Sequence, residues 1–154
     1  MKSIDSASPI FGELAADLLD EGYSIRFTVR GHSMRPLVLD GDVITFQAVD
    51  GRGVRTGDVV LYLAGPGKLV VHRALFGFRS GTGRPICMRG DAQQACDSVR
   101  PEQVLARGMR LQRGKKTVIL SRFHVRLAAT VFLQLRAIWR GLVPGSHCGR
   151  ALCP

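Results

Sequence analysis

A mainly β fold, built as a coiled mixed β-sheet with one helix at each end, is predicted by three features of the sequence. Short apolar runs are punctuated by Gly-rich turns from Tyr23 to Leu120. No strand–helix–strand alternation of the kind a parallel sheet requires is present. Helical apolar periodicity is confined to two terminal stretches. With 154 residues the chain is one domain with room for a real core. Its parts are an N-terminal helix (1–22), a β domain (23–120), a basic amphipathic helix (121–142) and a loose tail (143–154).

Residues 8–21 read as the first helix. Ser8 is a suitable cap, Pro9 fits the first helical position, and Glu13 lies in the early turns. Ile10, Leu14 and Leu18 fall on one face, with Phe11, Ala15 and Leu19 beside them, and Gly22 ends the helix. Strands are expected at 24–30, 42–49, 58–64, 68–76, 85–89, 103–112 and 116–120. The turns between them include Asp50-Gly51-Arg52-Gly53, Gly65-Pro66-Gly67, Ser80-Gly81-Thr82-Gly83 and Arg113-Gly114. Three Gly-Asp pairs, Gly41-Asp42, Gly57-Asp58 and Gly90-Asp91, stand at strand edges. Over 122–141, Phe123, Leu127, Val131, Leu135 and Ile138 form an apolar stripe, and Arg122, Arg126, Arg136 and Arg140 gather opposite. Such a helix either packs on the sheet or lies at an anionic membrane surface.

The net charge of +10 points to an anionic partner or to a basic background. With only 6% aromatic residues and no nucleic-acid motif, nucleic acid is the less expected partner. No apolar run reaches the ~18 residues of a membrane span. The N-terminus does not read as a secretory signal. The expected setting is therefore cytoplasmic, with peripheral membrane contact through 122–141 as an extension. Cys87, Cys96, Cys148 and Cys153 form no close pair and are expected as reduced thiols. His147, Cys148 and Cys153 lack a fourth ligand, so no metal is assigned.

The chemistry concentrates in Gly31-His32-Ser33-Met34-Arg35-Pro36, directly after an alternating apolar run. Gly31 and Pro36 bracket a tight turn that presents a hydroxyl beside backbone N–H groups. Acyl transfer needs a nucleophile beside such donors, although serines in turns commonly serve only local hydrogen bonding. Of the four histidines, His72 sits in the apolar run Leu69–Phe76, where burial would keep its imidazole neutral and able to accept a proton. A buried histidine bonded to backbone is the plainer alternative. Asp91 and Asp97, in the loop that follows Gly90, are both carboxylates placed to orient that histidine, or to cap turns.

The succession Gly-x-Ser-Met-x-Pro, Gly-Asp, Gly-Asp-Val-Val-Leu-Tyr, Val-His-Arg and Arg-Gly-Asp resembles the signal peptidase I and LexA-like serine peptidase superfamily over residues 22–112. His72-Arg73 is similar to the branch of the endoplasmic reticulum and archaeal signal peptidases, which carry His where others carry Lys. The resemblance implies a coiled β catalytic fold with Ser33 as nucleophile, His72 as general base and Asp97 as the orienting acid. It further implies that Gly31, Met34 and Asp91 serve the oxyanion and substrate region or its support, and that no cofactor is needed. Gly31 stands where many signal peptidases carry a hydroxyl residue, so backbone N–H groups would hold the oxyanion. The implied partner is a precursor protein or leader peptide. The rival expectation is a non-catalytic module of the same fold that binds peptide, membrane or nucleic acid.

Overall fold

The structure, a computed structural model, describes residues 9–75 and 85–122, together with Val125, Ala128, Val131 and Leu135. Helix α1 (Pro9–Asp20) opens the chain. Eight strands follow: β1 (Ile25–Thr28), β2 (Val43–Ala48), β3 (Val59–Leu63), β4 (Leu69–Ala74), β5 (Ile86–Arg89), β6 (Asp97–Val99), β7 (Val104–Arg113) and β8 (Lys116–Ile119). They form one sheet in the order β1-β2-β7-β3-β4-β5-β6, with β8 also on β7.

Each pairing is antiparallel, so the expected mixed sheet is corrected to an antiparallel one. Strands that return through short turns, such as Gly65-Pro66-Gly67 between β3 and β4, can only pair in opposite directions. The ten-residue β7 is the spine. One side pairs with β2, and the other is shared by β3 and β8. Its register slips at Leu105 and at Met109, each an extra residue against the partner strand. Such bulges bend and twist a sheet locally.

Strand β3 is buried on both faces. Val59 and Leu61 enter one core with Leu19, Val29, Met34, Val38, Ile44, Phe46 and Leu111. Val60 and Tyr62 enter a second with Ala74, Ile86, Met88 and Val99. A strand buried on both faces reads as a continuous apolar run, as Val59-Val60-Leu61-Tyr62-Leu63 does.

Two expectations change in detail. The buried face of α1 is formed by Gly12, Ala15 and Leu19, while Leu14 is 46% exposed. Gly12 explains the rotation: a Cβ there would stand 2.6 Å from the Gly67 carbonyl oxygen, so α1 meets the β3–β4 turn on its glycine face. Second, residues 97–99, read as loop, form edge strand β6 on β5. Asp97 and Ser98 are exposed there, and three polar-flanked residues carry too little apolar pattern to reveal a strand. Of the expected helix at 122–141, Val125, Ala128, Val131 and Leu135 have helical backbone; the rest of it, with Ser8, Phe76, the turn at 80–83 and the tail, lies outside the described residues. Among the described residues no helix is long and apolar enough to cross a membrane.

Candidate active site

Ser33 rides on the loop between β1 and β2, residues 29–42, whose neck is zipped. Val29 N–H donates to the Asp42 carbonyl (2.8 Å) and Gly41 N–H to the Val29 carbonyl (3.0 Å). Gly31 and Gly41 take positive φ values of 100° and 87°, which only glycine adopts without strain. Met34 and Val38 plug the loop into the first core. The Asp42 carboxylate, 2% exposed, accepts from Leu39 N–H at 2.8 Å and from Arg113 Nε and Nη2 at 2.8 and 2.6 Å. These bonds to Arg113 hold its carboxyl below the usual range despite burial. A loop closed at its neck and filled by its own apolar side chains gives its hydroxyl a fixed address.

A second turn backs the first. The Ala92 N–H donates to the Ser33 carbonyl at 2.8 Å, and Gly90 lies against Ser33. That turn is clamped to β4 by a buried bidentate pair: Arg73 Nε and Nη2 each reach an Asp91 carboxylate oxygen at 2.8 Å. Arg73 Nη1 also donates to the Gly57 carbonyl at 2.9 Å. Planar fork-to-carboxylate geometry of this kind fixes orientation as well as distance.

His72, next along β4, projects from the other face. It lies opposite Val60 in the ladder, while Tyr62 lies opposite Val70, so Tyr62 and His72 are diagonal neighbours on one face. Asp97 comes to them from β6. His72 Nδ1 stands 3.1 Å from Asp97 Oδ2 and 3.0 Å from Tyr62 Oη; Tyr62 O–H donates to Asp97 Oδ2 at 2.6 Å. The His72 side chain is 6% exposed and that of Asp97 53%. Because the one Tyr62 hydroxyl proton goes to Asp97, the short contact between Tyr62 and His72 is satisfied with a proton on Nδ1. Nε2 is then the free, basic nitrogen. Burial pulls the imidazole below its ordinary value of 6.5, opposed by the charge and hydrogen bond of Asp97 and the charge of Asp91. Burial first, then Asp97, push the Tyr62 hydroxyl up, so it stays protonated.

Ser33, His72 and Asp97 all line one cleft of about 790 Å³. Phe11, Phe27, Leu69 and Val71 supply its apolar wall, and Arg30 and Lys68 its cations. Phe27 is braced edge-on by Phe11 and stacked on Phe46, at centroid distances of 5.9 and 5.0 Å. Two strand edges border the cleft. β1 ends the sheet, and among the described residues Leu69–His72 of β4 pair on one side only, since β5 joins at Arg73. Among the described residues the Ser33 hydroxyl and the Ser33 and Met34 N–H groups have no hydrogen-bond partner.

The other expected site residues fall as follows. Met34 is 3% exposed in the core, so it anchors the loop and does not line the cleft. The Gly31 N–H donates to Asp40 Oδ1 at 2.8 Å and is committed there. Asp91 holds Arg73, whereas Asp97 holds His72. His32 is exposed and His124 and His147 lie outside the described residues. Among the described residues no cluster of three or more His, Cys, Asp or Glu side chains forms a metal-binding group. Tyr62 ends the Gly-Asp-Val-Val-Leu-Tyr motif, but the sequence assigns it no role: its place in the site depends on the diagonal register with His72. Cys96 is an exposed thiol and Cys87 is half-buried. No family model matches the chain, and no curated protein matches it.

Proposed function

We propose that the chain is a serine endopeptidase of signal-peptidase type, which removes a leader or signal segment from a precursor. The observation that carries this reading is the convergence of Ser33, His72 and Asp97 on one cleft, with His72 Nδ1 engaged and Nε2 left as the base. The substrate lies extended in the cleft, adding to the free edge at Leu69–His72 by main-chain hydrogen bonds. Ser33 Oγ attacks the scissile carbonyl carbon as His72 Nε2 takes its proton. The oxyanion of the tetrahedral intermediate is held by the unengaged N–H groups of the Ser33 turn. His72 returns the proton to the amine as the C–N bond breaks, leaving an ester on Ser33. Water, deprotonated by the same imidazole, hydrolyses that ester and restores the hydroxyl. Asp97 stabilises the imidazolium formed twice in the cycle.

A second reading, a non-catalytic peptide-binding module, is favoured by one observation: the same free edges would hold a peptide whether or not Ser33 reacts. In either case the basic segment 122–141 is proposed to add a peripheral contact with anionic headgroups. The discriminating experiment exposes a diverse, proteome-derived peptide mixture to the purified chain and to Ser33→Ala, with products sequenced by mass spectrometry. A product set made by the native chain and absent with Ser33→Ala supports the peptidase. Retention of peptides by both proteins, with no new termini, supports the binding module.

A further inference from the structure

Asp97 occupies an awkward place for a group that must orient a buried base. It sits at the first position of a three-residue edge strand, and its side chain is about half exposed. An exposed carboxylate on a short edge is free to turn to solvent, and in water its hold on a neighbour is weak. A second group therefore has to restrain it. Tyr62 does so from the most buried strand of the sheet. Its ring is 1% exposed within the second core, and the regular β3–β4 register places it diagonally beside His72.

Resting on the peptidase reading above, we propose that Tyr62 is a positioning residue of the site. Its hydroxyl donates to Asp97 Oδ2 and accepts from His72 Nδ1–H, which fixes the carboxylate and leaves Nε2 as the free nitrogen. Released from that hydroxyl, Asp97 would turn to solvent and its hold on the imidazole would weaken. The other charged groups near His72 are Asp91, whose charge favours the imidazolium, and Arg30 and Lys68, which line the same cleft. Arg73 lies on the opposite face of β4, neutralised by Asp91. Among the described residues none of these touches Nδ1, so Tyr62 and Asp97 decide the tautomer.

The test uses the full chain with ¹⁵N-labelled histidine, and Tyr62→Phe and Asp97→Asn variants. Phe preserves the buried ring, and the acceptor it abandons is open to water, so no buried polar group is stranded. Long-range ¹H–¹⁵N spectra give the tautomer of His72 and its titration midpoint. The expected result is a native His72 protonated at Nδ1 when neutral. In Tyr62→Phe the tautomers mix and the midpoint moves down as Asp97 turns to solvent; in Asp97→Asn the midpoint moves down further. Cleavage, measured on the same proteins, falls roughly 10- to 100-fold in Tyr62→Phe, the worth of one charge-assisted hydrogen bond. A native His72 protonated at Nε2, or a Tyr62→Phe spectrum and midpoint identical to native, overturns the proposal. Expected spectra without cleavage by the native chain would overturn the peptidase reading and leave the positioning of His72 by Tyr62 standing.

Discussion

Gly90 is packed directly against Ser33: a Cβ at position 90 would stand 2.6 Å from the Ser33 carbonyl oxygen and 3.0 Å from its Cβ. The loop that carries the hydroxyl and the turn that carries Asp91 are therefore fitted to each other, and the fit admits only glycine. Gly90→Ala forces the backbones apart, at a cost of about 1–3 kcal/mol typical of overpacking. We predict a matching drop in thermal stability and a larger loss of cleavage, because Ser33 itself is displaced. Gly53→Ala is the control: its Cβ would meet only Val49 Cγ2 at 3.4 Å, and both readouts should stay near native.

The Arg73–Asp91 clamp is expected to matter for stability far more than surface ion pairs do. Both side chains are buried, at 4% and 0% exposure. Asp91→Leu leaves the guanidinium without its carboxylate, which costs about 3–5 kcal/mol in comparable buried pairs. Urea denaturation should show that loss. The double variant Arg73→Met/Asp91→Leu should recover much of it, since an apolar pair strands no charge.

Cleavage should depend on pH through His72. In the proposed mechanism only the neutral imidazole accepts the Ser33 proton, so activity should be lost as pH falls through its midpoint. Burial places that midpoint below 6.5, and the rate should already be on its plateau at neutrality. Asp97→Asn removes a group that raises the midpoint, so the acid limb should move to lower pH. The plateau should fall about 10²- to 10⁴-fold as orientation and imidazolium stabilisation are lost.

Acid stability should report on Asp42. Its folded value lies below the ordinary 3.8, chiefly through Arg113. The unfolded chain therefore binds the proton more readily. The stabilisation is complete above 3.8 and is lost as pH falls through the lower, folded value. Arg113→Gln weakens that hold, and acid unfolding should then begin at higher pH, as followed by circular dichroism.

Much of the sheet was legible because its punctuation is strong. Gly41-Asp42, Gly57-Asp58 and Gly90-Asp91 mark strand edges in the sequence, and each buries its carboxylate against an arginine: Arg113, Arg107 and Arg73. The strand centres around Val59–Leu63 and Leu69–Ala74 announce themselves by continuous apolar runs. Strand β6 was not legible, since Asp97 and Ser98 face solvent and a single buried Val99 makes no pattern. The face of α1 was misjudged because Gly12, which has no side chain to count, sets the contact with Gly67. Ser33 and His72 could be singled out by residue type and setting. The division of labour between Asp97 and Asp91 came only from the resemblance and not from the residues themselves, because physically it follows from the opposite faces of His72 and Arg73 on β4. The role of Tyr62, though the residue closes the Gly-Asp-Val-Val-Leu-Tyr motif, was hidden for a related reason: a diagonal contact exists only once β3 and β4 are in register.

The central claim is that Ser33 is a working nucleophile. The most direct measurement compares protein N-termini by mass spectrometry in cells carrying the native chain and in cells carrying Ser33→Ala. The account predicts a small set of precursors that keep their leader only in the Ser33→Ala cells. Identical N-termini in both, with the chain expressed at equal levels, would contradict it and leave the cleft as a peptide-binding surface.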